Sequence, residues 1–111
     1  MDAAGLVRQY YDALDGHEYE ALESILAPAF VQHRPDRTFE DRASFIAFMR
    51  TERPNPNTRH ELDAVVADAD TELVAARGTV VDAETNEMLF EFADFFSITD
   101  GQIVRLETYS R

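Results

Sequence analysis

The chain contains no cysteine, which removes disulfides, thiol nucleophiles and cysteine-based metal sites together. It also contains no lysine: all ten basic residues are arginine, set against 22 aspartates and glutamates, for a formal net charge of −12. Nucleic acid and anionic membranes both require cationic patches, so neither is an expected partner. The acid is spread along the whole chain instead of being packed into one tail. That is the pattern of adaptation to high salt, where acidic side chains stay hydrated and self-repulsion is screened. No apolar run approaches the roughly 18 residues a membrane span needs. The opening Met1-Asp2-Ala3-Ala4-Gly5 lacks a charged-then-apolar leader pattern, so a cytoplasmic protein is expected. Four scattered glycines make no phosphate cradle. His17, His33 and His60 show neither HxH nor HExxH spacing, so no metal and no cofactor is expected. The serines lie in no nucleophile-elbow context.

What is present is enough for a core. Apolar residues make up 45% of the chain and include eight Phe and four Tyr, which excludes disorder. A length of 111 residues gives one domain, spanning 1–111. Leu6, Tyr10, Ala13 and Leu14 recur at helical spacing, and Val7 and Tyr11 widen the stripe, so a helix is predicted over about 3–15 with Asp2 as its cap. Asp15 and Glu18 have capping-box spacing for a second helix, whose buried face is Tyr19, Leu22, Ile25 and Leu26 and which Pro28 ends. Phe30 to His33 reads as a short strand. A third helix is predicted over about 41–52, with Phe45, Phe48 and Met49 on one face.

After the loop Arg53-Pro54-Asn55-Pro56-Asn57 the period changes from helical to alternating. His60, Leu62, Ala64 and Val66 share one face of a strand, and further strands run over 73–81, 88–98 and 103–109. Asp82 to Asn86 is a polar turn, and Asp100-Gly101 is a two-residue hairpin signal. Helices segregated from a meander of strands give an α+β fold: three helices packed on a curved, mainly antiparallel sheet that encloses a cavity.

Three stretches carry a family resemblance over essentially the whole chain. They are Val7-Arg8-Gln9-Tyr10-Tyr11-Asp12-Ala13-Leu14, Phe30-Val31-Gln32-His33-Arg34-Pro35, and Phe92 to Val104 (FADFFSITDGQIV). In this order and spacing the chain resembles the SnoaL-like polyketide cyclases and ketosteroid isomerase-like proteins of the nuclear transport factor 2-like superfamily. The resemblance implies a cystatin-like cone with one internal pocket, commonly paired into a homodimer through the outer sheet face. Val104, Leu106, Ala93 and Phe95 are expected on that outer face. The resemblance also implies roles. Asp94 matches the strand aspartate that is the acid/base of the cyclases and the protonated oxyanion-hole aspartate of the isomerases. Tyr10 matches the isomerases' oxyanion-hole tyrosine, and His33 stands where they carry a catalytic aspartate. Two departures argue against a steroid or a large polycyclic substrate: His, not Asp, at position 33, and a plain short hairpin at 82–87 where cyclases carry a Gly/Pro-rich insertion.

The residues themselves bear on these roles. By strand alternation Asp94 shares a face with Phe90, Phe92, Phe96 and Ile98. A carboxylate among phenylalanines is strongly desolvated unless paired or protonated. His33 can accept and return a proton near neutrality. Tyr11 reads as a core residue. The catalytic candidates are therefore Asp94, His33 and Tyr10, and Phe48, His60, Phe92 and Phe96 are the candidates to line the substrate space. The expected activity is cofactor-independent acid–base chemistry, of isomerase, cyclase or lyase type, on a small, mainly apolar carbonyl compound. Two assignments stay open, with Asp94 either a protonated donor or an ionised base. A different class also stays open, a non-catalytic module that binds a small ligand or fills the pocket with its own Phe side chains.

Overall fold

A computed structural model describes residues 2–111 of the chain. The first helix, α1 (Ala3–Asp15), starts where Asp2 accepts a 2.7 Å hydrogen bond from the Gly5 N–H. Its apolar stripe buries Val7, Tyr10, Tyr11, Ala13 and Leu14. The short α2 (Tyr19–Ile25) follows a tight turn, but no capping box forms there. Glu18 makes no side-chain cap, and the Asp15 carboxylate instead crosses to residue 60. Strand β1 (Leu26–His33) begins earlier than Phe30, directly after α2. Pro28 lies inside it, in the irregular stretch between Leu26 and Val31, where a missing N–H costs no ladder bond. The two-residue β2 (Thr38–Phe39) and α3 (Arg42–Thr51) complete the first half, with Asp41 capping α3.

The second half is a meander: β3 (Thr58–Ala67), β4 (Leu73–Asp82), β5 (Met88–Thr99) and β6 (Gln102–Ser110). All six strands form one sheet in the order β2-β1-β6-β5-β4-β3, antiparallel except where β1 runs parallel to β6. Asp100 and Gly101, with φ of 51° and 75°, form the β5–β6 turn. Two positive φ values in sequence are the geometry that Asp-Gly supplies at least cost. The helices pack on one side of the sheet, with α1 against β3 and β4 and α3 against β1. The core between them is rich in aromatics, centred on Tyr10, Tyr11, Phe45 and Phe96.

Bulges overturn two expectations drawn from strict alternation. Leu62 pairs with Gly78 and Ala64 with Arg77, which leaves Asp63 as an extra residue in β3. Beyond it the faces exchange, so Val65 packs on the core and Val66 is 65% exposed. In β6, Ile103 pairs with Ile98 and Arg105 with Ser97, leaving Val104 as the extra residue. Leu106 is consequently fully buried, not on the outer face with Phe95.

Candidate active site

Asp94 lies at the middle of β5, opposite Ala76 of β4 and Thr108 of β6. It points inward on the face it shares with Phe92 and Phe96 and is 5% exposed. The Tyr11 hydroxyl donates to its Oδ2 at 2.5 Å, and its Oδ1 has no partner among the described residues. Burial pushes the carboxyl above its ordinary range. The hydrogen bond from Tyr11, the nearby Thr108 hydroxyl and the Arg34 charge oppose that rise without cancelling it.

Tyr11, read from the sequence as core, is thus the residue that holds Asp94. Adjacent helix positions differ by about 100°, and both tyrosines are buried because α1 has aromatic neighbours on both sides. The Tyr10 ring meets Phe45 and Phe96, while the Tyr11 ring meets His60 and Phe92. Tyr10 lines the cavity described below. Burial, and next the nearby Asp94 charge, raise both phenols and keep them protonated donors.

His60 enters from β3. The Asp15 carboxylate at the end of α1 accepts from His60 twice, from the backbone N–H at 2.8 Å and from ring Nδ1 at 2.6 Å. A carboxylate can only accept, so the proton sits on Nδ1 and Nε2 is the nitrogen left free to take another. The double attachment fixes the ring against Tyr11 and Phe92.

His33 is placed differently from the expectation. Gln32 is the inward residue of β1, 4% exposed, and its Nε2 donates to the Thr108 hydroxyl at 2.9 Å. Its neighbour His33 therefore falls on the opposite face, with Nδ1 3.3 Å from the Thr38 hydroxyl, and takes no part in lining the cavity. Strand alternation is the cause, and the signal was present: Phe30 anchors the inward face, and Gln32 lies two residues on.

A cavity of about 390 Å³ opens between the helices and the sheet. Tyr10, Leu14, Gln32, His60, Phe92 and Asp94 line its interior, and Phe48 lies nearer the rim with Arg34, Asp36 and Arg53. Phe96 does not line it; fully buried, it supports the two tyrosines from below. Of the expected lining residues, Phe48, His60 and Phe92 meet Asp94 and Tyr10 in one space, and His33 and Phe96 do not. Sequence reasoning missed Tyr11, Asp15, Gln32 and Thr108. Among the described residues, no group of three His, Asp or Glu is placed to hold a metal ion.

No protein of curated function matches the chain. Solved structures do. A protein from Pseudomonas putida KT2440 assigned as a polyketide cyclase superposes with a TM-score of 0.76 at 28% identity, over 98% of this chain and 91% of that one. A protein from Kribbella flavida assigned as a ketosteroid isomerase gives a TM-score of 0.84 at 21% identity, over 98% of this chain and 77% of that one. A nuclear transport factor 2-like protein of unknown function from Cytophaga hutchinsonii gives 0.83 at 14% identity, over 100% and 91%. These likenesses are of fold. The sequence model of the SnoaL-like domain matches residues 7–106, nearly the whole length, and the chain belongs to the SnoaL-like family.

Proposed function

We propose that helices and sheet close as a cone around a cofactor-independent acid–base site, which moves a proton on a small, mainly apolar carbonyl compound. The observation that carries this is Asp94: a buried carboxyl with one oxygen held by Tyr11 and the other unpartnered, in a residue that lines the cavity. Burial raises this group, so it reaches neutral pH as a hydrogen-bond donor more readily than an exposed aspartate. With Oδ2 accepting from Tyr11, the proton belongs on Oδ1, where it can be donated to a substrate carbonyl.

In this reading the Tyr10 hydroxyl, which meets no acceptor among the described residues, gives the second donor of an oxyanion hole. Donors preset toward developing charge in a water-poor site are worth more than the same groups in water. His60 Nε2 removes the proton alpha to the carbonyl, and Asp15 stabilises the resulting imidazolium. The enolate oxygen is held by Asp94 and Tyr10 while His60 returns the proton to carbon. His60 thus takes the shuttle role that the sequence assigned to His33. The logic is that of ketosteroid isomerase, with a protonated aspartate and a tyrosine around one oxygen. A volume of about 390 Å³ is at the small end of the range for ligand sites, in keeping with a compact substrate. An open space with converging polar groups favours this reading over a pocket plugged by its own phenylalanines.

The test is hydrogen–deuterium exchange at the alpha carbon of 2-tetralone in heavy water, followed by NMR. The wild-type protein should accelerate exchange. General acid–base groups contribute roughly 100- to 10,000-fold, so Asp94→Asn and His60→Ala should each lose about 100-fold or more, while His33→Ala keeps the rate. No acceleration, or full activity in Asp94→Asn, refutes the proposal.

A further inference from the structure

Three buried side-chain atoms in the described protein lack a hydrogen-bond partner: Asp94 Oδ1, Gln32 Oε1 and Arg53 Nε. All three residues line the one cavity described above. Buried polar atoms in folded proteins are nearly always paired, because an unpaired one loses its hydration with nothing in return. Three exceptions among the residues around a single cavity point to a ligand as the source of the missing partners.

The chemistry of the three atoms differs. Asp94 belongs to the acid–base reading. Gln32 Oε1 can only accept, so it calls for a donor on the ligand. Arg53 Nε is a charged donor, always protonated, and calls for an acceptor that tolerates loss of water around a guanidinium. The other arginine lining the cavity, Arg34, already has a carboxylate beside it, with its Nε 3.2 Å from an Asp36 carboxylate oxygen. Arg53 has no ion pair among the described residues; its only bond is a long one, 3.4 Å, from a terminal nitrogen to the Tyr19 hydroxyl. Other arginines also lack an ion pair, but among the cavity-lining residues Arg53 is the guanidinium with no carboxylate within ion-pair distance and with a buried, unpartnered Nε.

We infer that the substrate is anionic: a carbonyl compound bearing a carboxylate, which Arg53 binds at the rim while the reacting carbonyl lies inward against Asp94. This rests on the acid–base reading only for where the carbonyl goes. One uncompensated positive charge suits a monoanion. A phosphate dianion would draw on a second cation, and the Asp36 carboxylate beside Arg34 opposes further negative charge there. Planar carboxylate also matches the fork of Nε and a terminal nitrogen, which a point charge would not exploit. The surface as a whole repels anions, so this contact supplies selectivity at short range and not steering at long range.

The test uses a matched set of rigid probes titrated calorimetrically at physiological salt: 2-naphthoate, the neutral 2-naphthamide, and 2-naphthyl phosphate. The wild-type protein should bind the carboxylate at least tenfold more tightly than the amide and no less tightly than the phosphate. In Arg53→Gln the carboxylate preference should fall to near one while amide binding is unchanged, which also shows that the variant is folded. Arg53→Lys should retain part of the preference. Equal binding of carboxylate and amide, preference for phosphate, no binding of either at millimolar concentration, or a preference that survives Arg53→Gln each overturns the assignment. Asp94→Asn separates the two readings. It should abolish tetralone exchange yet keep the carboxylate preference, and loss of that preference in Asp94→Asn would mean that Arg53 is not what senses the charge.

Discussion

Replacing Asp94 by Asn should make the protein more stable at neutral pH and leave it unchanged in acid. In the unfolded chain Asp94 ionises near 3.8, and in the folded protein burial moves that ionisation upward. Between those two points the unfolded chain has released a proton that the folded protein still holds. Stability therefore falls as pH rises through the window, and is level below 3.8 and above the folded value. Asparagine has the same shape, can still accept from Tyr11, and has no such window. The unpartnered position at Oδ1 is common to both side chains, so the pH-dependent difference between them reads the ionisation. Each tenfold by which burial raises the Asp94 ionisation should therefore appear at pH 8 as about 1.4 kcal/mol of gain for Asp94→Asn, or about 5–6 °C in melting temperature at roughly 4 °C per kcal/mol. At pH 3.5 the gain should vanish. The assay is thermal unfolding of both proteins across this range in one buffer system. The many other carboxylates titrate alike in both, so the difference isolates position 94. A difference that stays flat with pH would show a solvated carboxylate, and one that shifts in favour of the wild type as pH rises would show a paired one. The physical basis of the proposed site would then be wrong.

Two further expectations concern the same framework. Tyr11→Phe removes the 2.5 Å bond to Asp94. It should cost about 1–3 kcal/mol in denaturant unfolding and move the Asp94 NMR titration midpoint upward, since that bond favours the ionised form; Tyr10→Phe should leave the midpoint nearly in place. Gly78→Ala would put a Cβ 2.2 Å from the Glu61 carbonyl oxygen on β3. Overpacking of this kind costs about 1–3 kcal/mol or more, and because His60 is next to Glu61, tetralone exchange should fall along with the midpoint of urea unfolding.

Much of the fold was legible because local rules carried it. The stripe on α1, the Asp2 cap, the Asp100-Gly101 turn and the shift from helical to alternating period each map onto the element observed. Errors arose wherever a single inserted residue or a competing partner intervened. Alternation through Asp63 and Val104 misplaces Val66 and Leu106, since no local signal announces a bulge. Asp15 and Glu18 have ideal capping spacing, yet Asp15 finds a stronger pair of donors on His60, 45 residues away.

The sequence by itself determined the architecture and the inward carboxyl, because the Phe-x-Asp-x-Phe alternation of residues 92–96 leaves Asp94 only the apolar face when that face is the core. The tertiary structure decided which partners meet it. Tyr11 rather than Tyr10 holds Asp94, His60 rather than His33 reaches the cavity, and Arg53 is left without a carboxylate. Those choices depend on how a helix rotates and how strands slide against each other, over separations such as the 83 residues between Tyr11 and Asp94. Spacing along the chain constrains neighbours within a turn or a strand; only packing sets the angle and register at which distant elements present their side chains.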